Sequence, residues 1–219
     1  MEQKTKEYFN GTAKNYDTSH DGRFVKCMYG EIVKWVGDLP GEKILDLGCG
    51  NGNVIRLLEQ ERQARYFGVD ISEQMIAEAE KRVGSGAELR TADVVDLPFP
   101  DEMFDIIICN ASFHHYTEPD RAVEEIKRTL KTGGMLVLGD PTIPGDLFRK
   151  WFNRSFSSGN SGDFWLYGKQ EIISLFQKHG FLIRKWKRIN FRSFLLCAEK
   201  NNTKIAYTNK KQICENDRN

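Results

Sequence analysis

Three glycines and two acids in this chain are spaced to grip one ligand. Gly48, Gly50 and Gly52 alternate through ILDLGCGNGN (Ile44–Asn53), where an apolar run gives way to a helical pattern starting near Asn53. Lacking a Cβ, glycine lets a ligand lie against backbone, and the first turn of a helix offers unpaired N–H groups to an acceptor. Twenty residues past Gly50, Asp70 in GVDIS closes the next apolar run. A carboxylate there can accept hydrogen bonds from both hydroxyls of a ribose, each contributing about 1.5 to 3 kcal/mol. Asp93, in TADVVDLPF, follows a third run and can take the exocyclic amine of adenine. After a fourth run, NASFHHY places His114 and His115 side by side. An imidazole titrates near neutral pH, so either can serve as a general base. Asp96 and Asp101 read instead as turn or capping residues.

Short apolar runs ending in Gly or Asp, alternating with amphipathic stretches, are the pattern of a parallel sheet with crossover helices. The expected strands are Lys43–Leu47, Arg65–Val69, Glu88–Ala92, Phe104–Cys109 and Met135–Gly139. The crossover helices fall at Asn53–Glu61, Glu73–Val83 and Asp120–Leu130, with Ser72 and Pro119 near helix starts, while the third crossover, Val94–Glu102, is short. Ahead of the sheet, Arg23–Leu39 is an amphipathic helix expected to cover it. Behind the fifth strand, 141–167 is rich in Gly, Ser and Asn yet carries Phe148, Trp151, Phe152, Phe156, Phe164 and Trp165, and is expected to be an irregular lid. A helix at Lys169–His179 stops before Gly180, and strands at Phe181–Lys187 and Phe191–Glu199 are close enough to pair as a hairpin. The division that follows is a cap of helices at 1–40, a main domain at 41–199 with its lid at 141–167, and a loose polar tail at 200–219.

Composition excludes several classes. With 219 residues, 40% hydrophobic and 29% charged, the chain suits one globular domain. A net charge of +1 gives no overall field to hold a polyanion, so nucleic acid is not an expected partner, although Lys178–Asn219 holds eleven Lys and Arg against three Asp and Glu. Five cysteines without a CxxC pair, and no histidine at zinc spacing, point to reduced thiols and no metal. No apolar stretch approaches the length of a membrane span and the N-terminus lacks a signal-peptide core, so a cytoplasmic location is expected.

Taken in order, ILDLGCGNGN, GVDIS, ADVVDLPFPDEMFDIIICNASFHHY and LKTGGMLVLGDP resemble the class I methyltransferases that use S-adenosyl-L-methionine and release S-adenosyl-L-homocysteine. The likeness runs over roughly Glu7 to Glu199 and is nearest to the small-molecule branch that includes quinone-biosynthesis enzymes. It implies an α/β, doubly wound, mostly parallel seven-stranded sheet of Rossmann-like type whose last strand is antiparallel. It also implies roles for single residues. Gly48, Cys49, Gly50 and Asn51 would line the methionine part of the cofactor, with Asp46 beneath the loop. Asp70 would hold the ribose, and Ile71 and Met75 would pack on the adenine, though Met75 reads equally as helix core. Asp93 and the backbone of Val94 would read the adenine edge, and the main chain at Asn110 would face the methionine amine and sulfonium. YFNGTAKNYD (Tyr8–Asp17) matches a stretch that closes over the site in relatives, which makes Tyr16 a contact to the cofactor carboxylate.

A dinucleotide enzyme would share the Gly-rich turn and the ribose acid, but its fingerprint is GxGxxG, which serves a pyrophosphate. Here the spacing is GxGxG, and Asp93 has no counterpart in that fingerprint. Methyl transfer from a sulfonium is an in-line displacement in which orientation alone can contribute roughly 7 to 11 kcal/mol, so no covalent nucleophile is required. His115, and next His114, are the catalytic candidates. Asn110 stands where DNA amino-methyltransferases begin an Asn-Pro-Pro-Tyr motif, but Ala111, Ser112 and Phe113 follow instead. The aromatic insertion resembles the variable segment that shapes the acceptor pocket in such enzymes, which implies a small apolar or aromatic acceptor of the methyl group on O, N, S or C and a monomer or homodimer; its six rings read equally as a seal of the lid against the core or as a dimer contact. The alternatives are an RNA or protein methyltransferase using the basic C-terminal end, and a module that binds adenosylmethionine without catalysis.

Overall fold

Inside this chain the strands are apolar on both sides, and the packing shows why. Along Phe104–Asn110, Ile106 and Ile108 face one hydrophobic layer while Phe104, Ile107 and Cys109 face the other. A strand buried on both faces belongs in the middle of a sheet sandwiched by helices. The computed structural model describes residues 2–156 and 165–201. In chain order these form α1 (Glu2–Thr12), a short 3₁₀ turn (Ala13–Thr18), α2 (His20–Gly37), β1 (Lys43–Leu47), α3 (Asn53–Glu61), β2 (Arg65–Asp70), α4 (Glu73–Glu80), β3 (Glu88–Thr91) and β4 (Phe104–Asn110). They continue through a 3₁₀ turn at Phe113–His115, α5 (Pro119–Thr129), β5 (Leu130–Pro141), α6 (Asp146–Phe156), α7 (Lys169–Lys178), β6 (Phe181–Asn190) and β7 (Ser193–Lys200).

The seven strands lie in the order β3-β2-β1-β4-β5-β7-β6. β1 to β5 pair in parallel, and β7 inserts antiparallel between β5 and β6. This is the doubly wound Rossmann-like sheet with the inverted last strand. The chain order reverses between β1 and β4, and at such a switch point the carboxyl ends of neighbouring strands open a crevice. On one side of the sheet Met28, Ile32 and Val36 of α2 pack with Ile55 and Leu58 of α3. On the other, Val123 and Ile126 of α5 and Ile172 and Phe176 of α7 pack on Phe104, Phe113, Phe181 and Phe194.

Several expected boundaries move for identifiable reasons. α2 starts at His20 rather than Arg23 because the Ser19 side chain accepts the Gly22 N–H at 3.0 Å and caps it. Ser72 caps α4 in the same way through Met75 N–H, but α4 ends at Glu80 rather than Val83. Pro119 takes the first position of α5, one residue earlier than expected. β5 extends far beyond Met135–Gly139 in both directions, since Leu130 already pairs with Phe104 across a bulge and Pro141 still pairs with Ser193. β2 gains Asp70, β4 gains Asn110 and β6 runs on to Asn190, while β3 stops at Thr91 and β7 is set between Ser193 and Lys200. The segment expected to be irregular, 141–167, contains α6. Arg149 and Asn153 point into the protein from it, and Asn153 brackets Leu166 by donating to its carbonyl at 3.0 Å and accepting its N–H at 3.1 Å. Residues 157–164 and the expected tail from 202 onward lie outside the described residues. No helix among the described residues is long and apolar enough to cross a membrane.

Phe113 is fully buried beneath the histidine turn, against Tyr116, Tyr167 and Phe176. Phe113→Ala is expected to lower unfolding free energy by about 3 to 5 kcal/mol. Chemical denaturation followed by circular dichroism checks this; a loss under about 1 kcal/mol would show that the turn is not built on that ring.

Candidate functional site

β1, β2 and β4 end at the switch point, and each delivers chemistry there. The loop after β1 turns sharply, with φ of +64°, +52° and +80° at Gly48, Gly50 and Gly52. Gly48 has a second constraint besides its left-handed backbone: a Cβ on it would sit 2.0 Å from Ser112 Oγ, so no other residue fits against the β4 loop. The loop is held by Asp70 at the end of β2. Gly50 N–H donates to Asp70 Oδ2 at 2.9 Å and Ser72 N–H donates to Oδ1 at 2.9 Å. One bond per oxygen leaves carboxylate lone pairs for a ligand. Burial pushes the Asp70 carboxyl up to about 6, with the two backbone bonds pulling the other way.

Asp46, at the end of β1, is more extreme. Its carboxyl is fully buried under the loop, neither oxygen has a hydrogen-bond partner, and burial with the nearby Asp70 charge pushes it up to about 8. Asn110 Oδ1, at the end of β4, is also buried without a partner. Both residues line one small recess together with Tyr16, Tyr29, Gly50, Asn51 and Asn53. Orphaned buried acceptors are costly unless something donates to them. A cationic amine meets that demand, whereas an anion does not.

The recess opens into a cleft lined by Gly48, Gly50, Asp70, Ile71, Met75, Asp93, Val94, Asn110 and His115. Tyr16, on the 3₁₀ turn that precedes α2, borders the recess, the cleft and a further cavity of about 430 Å³. That further cavity is walled mainly by apolar groups, among them Phe9, Phe24, Val25, Ile143, Phe152 and Leu166, and His114, His115 and Arg192 also face it. Ala111, at φ +51°, stands between cleft and cavity, a non-glycine residue in the left-handed region where strain persists only under firm local support. Support comes from its N–H to Gly139 carbonyl bond at 2.6 Å.

His114 is buried, and Asp140 Oδ1 accepts from its Nδ1 at 2.9 Å. An ionised carboxylate can only accept, so with Asp140 ionised the imidazole proton of this bond sits on Nδ1. His115 stacks close, with ring centroids 3.9 Å apart, and Phe9 of α1 meets it edge-on at 5.2 Å.

Residues 45–138 match the methyltransferase domain family. An uncharacterized methyltransferase of Geobacillus thermodenitrificans is 29% identical over 81% of this chain and 88% of its own length. A demethylmenaquinone methyltransferase of Symbiobacterium thermophilum is 32% identical over 67% of this chain and 62% of its own. In fold, the chain matches a methyltransferase solved with the Trm112 methyltransferase activator of Haloferax volcanii, with TM-score 0.78 at 18% identity, covering 91% of this chain and 98% of that one. The chain is a class I S-adenosylmethionine-dependent methyltransferase.

In this methyltransferase the candidate site residues are divided among the cleft, the recess and the further cavity, with His114 bordering the further cavity. Asp46 lies beneath the loop, Asp70 and Asp93 flank the cleft, and Met75, only 1% exposed, is both helix core and cleft wall. Cys49 and Asn51 border the recess rather than the main cleft. Asp93 also receives the Val95 N–H at 3.1 Å, so it shapes its own turn. Asp101, expected to be structural, pairs with Arg128 at 2.9 Å.

Sequence reasoning missed Asp17. Asn51 and Asn53 donate to its Oδ1 at 3.0 and 2.8 Å, and Arg82 pairs with its Oδ2 at 2.7 Å. Burial pushes its carboxyl up, but these bonds outweigh burial and carry it down to about 2. Asn10 Oδ1 accepts from Ser72 Oγ at 2.6 Å, and Lys6 pairs with Glu73 at 2.6 Å. The N-terminal segment is therefore fastened to the glycine loop and to α4. The only sequence signal was a cluster of Asn and Asp within the Tyr8–Asp17 and Asn51–Asn53 stretches.

Both Asp46 and Asp70 hold protons more tightly folded than unfolded, so the stability these two groups contribute is fully present below the ordinary carboxylate range and is lost as pH rises, through about 6 for Asp70 and about 8 for Asp46. Between pH 6 and 8, Asp46→Asn should flatten this fall, removing a slope of up to about 1.4 kcal/mol per pH unit. Urea unfolding at several pH values measures it; parallel slopes for variant and parent would show that Asp46 titrates normally.

Proposed function

We propose that the cleft holds S-adenosylmethionine, that the apolar cavity beyond Tyr16 and Ala111 takes a small apolar or aromatic acceptor, and that the protein methylates it. The observation that carries this reading is the pair of partnerless acceptors, Asp46 and Asn110 Oδ1, in a recess beside the glycine loop. The methionine ammonium is the donor they require. Asp70 would bind the ribose hydroxyls, Ile71 and Met75 would face the adenine, and Asp93 with the Val94 backbone would read its edge. Residues 1–40 would act as a cap through Phe9 and Tyr16, with 141–167 as a lid through Phe152 and Leu166. When bound, the cofactor supplies an electrophilic methyl group on a sulfonium. The remaining work falls to this chain: aligning the acceptor through the apolar wall, excluding water beneath the Asp17-fastened segment, and receiving the acceptor proton.

For a hydroxyl or protonated amine acceptor, His114 is the better-placed base, since Asp140 fixes its tautomer, and His115 borders both cleft and cavity. The family resemblance favoured His115. The relative named a demethylmenaquinone methyltransferase supports the small-molecule reading, and so does the lining of the cavity.

Adenosylmethionine and adenosylhomocysteine are expected to raise the melting temperature, and Asp70→Ala to abolish most of that rise. An unshifted melting curve with millimolar ligand would sink the cofactor assignment. In a turnover panel of phenols, quinols, amines and thiols, His114→Ala and Asp140→Asn should lower kcat by about 10² to 10⁴ on an acceptor that must lose a proton. The acidic limb of the pH profile should vanish with them while the melting rise stays intact. Unchanged kcat in both variants would leave positioning as the sole source of catalysis.

A further inference from the structure

The outer wall of the acceptor cavity carries an unexplained surface. α6 turns Phe152 toward the cavity and Arg149 and Asn153 into the protein, yet its opposite face sets Leu147, Phe148 and Trp151 in solvent at 88%, 55% and 61% exposure. Phe148 and Trp151 stack on each other with centroids 5.8 Å apart. The fourth large hydrophobic exposed among the described residues is Phe191, 68% exposed in the turn between β6 and β7, next to Arg192 on the rim of the same cavity. Monomeric soluble surfaces rarely gather such groups without a use.

The charges around them are mostly positive: Asp146 and Glu171 are both held by Arg149, and further cations surround them. Lys150 on α6 and Arg188 at the end of β6 border one shallow pocket, and both are exposed. Arg192 lies over the Phe24 ring, and no ion pair among the described residues holds Lys150, Arg188 or Arg192. The acid on this helix, Asp146, is paired with Arg149 at 2.8 Å. A short helix with Leu, Phe and Trp outward and cations at its border has the composition of an element that lies in a lipid headgroup layer. A protein partner would need a complementary acidic apolar groove; an anionic bilayer supplies both requirements at once.

We propose that α6 and the β6–β7 turn dock this enzyme on an anionic lipid surface, with Leu147, Phe148, Trp151 and Phe191 entering the interface and Lys150, Arg188 and Arg192 meeting the headgroups. Docking this way brings the rim of the acceptor cavity to the bilayer, so an amphiphilic acceptor reaches it without crossing water. The surface contains none of the residues assigned to the cofactor, and its binding is read without cofactor or turnover.

Flotation of the full chain with vesicles of phosphatidylglycerol and phosphatidylcholine, against phosphatidylcholine alone, tests it. The protein should float with the anionic vesicles and be released as salt rises. Phe148→Ser with Trp151→Ser should lower the partition coefficient at least about tenfold, the change expected when two buried rings leave the interface. Lys150→Ala with Arg188→Ala should lower it about 25-fold, fivefold for each cation, equivalent to about 1 kcal/mol apiece. All four side chains are exposed, so melting temperatures should hold, and loss of flotation then reports the surface and not the fold. Failure to float, equal flotation with neutral vesicles, or indifference to the ring substitutions overturns the proposal. So does a dimer in sedimentation that Trp151→Ser abolishes, since a second copy would then cover the face.

Discussion

Asp46 and Asp70 end neighbouring parallel strands, both are buried, and the Asp70 charge raises the cost of charge on Asp46. Two buried carboxyls on adjoining strand ends form an arrangement that the fold alone does not reward. Backbone N–H groups relieve Asp70. No donor among the described residues relieves Asp46. The left-handed glycines exist so that the loop can wrap this pair, and the strained Ala111 and the close Gly48–Ser112 approach follow from how tightly the β4 end is drawn against it. The ligand proposed for this recess carries a positive charge, which would return the stability spent at these positions, the usual relation between local strain and a binding site.

The loop and the strand ends could be read from sequence because their signals are local. A strand that stops at glycine, and an acid twenty residues later at the next stop, need only the period of the sheet to be placed together. The hairpin of β6 and β7 was legible for the same reason, since two β-rich runs are separated by very few residues. The Asp17 network was not legible, because its partners lie 34 to 65 positions away and no local pattern marks which Asn or Arg a given Asp will meet.

α6 shows a different failure. The Gly and Ser content around it pointed to irregular backbone, yet Phe148, Trp151 and Phe152 already had helical spacing, and the buried Arg149 and Asn153 complete it. Turn-forming residues at a helix border outweighed periodicity inside it. The length of β5 was missed similarly: LKTGG looks like a turn, but Leu130 pairs with Phe104 before the bulge and so belongs to the sheet. The tautomer of His114 depends on Asp140, twenty-six positions later on the next strand, a contact that only the register of β4 against β5 creates.

The sheet also has to end somewhere, and β6 is one of its two margins. Along it Arg184 and Lys187 pair with Glu199 and Glu31 while Lys185 and Arg188 lie over the Trp35 and Trp186 rings, beside backbone groups that no neighbouring strand among the described residues satisfies. Long charged side chains along an open strand edge oppose pairing with a further strand. Salt shortens the reach of charge to about 3 Å at 1 M, so the part of that protection which is electrostatic weakens in concentrated brine.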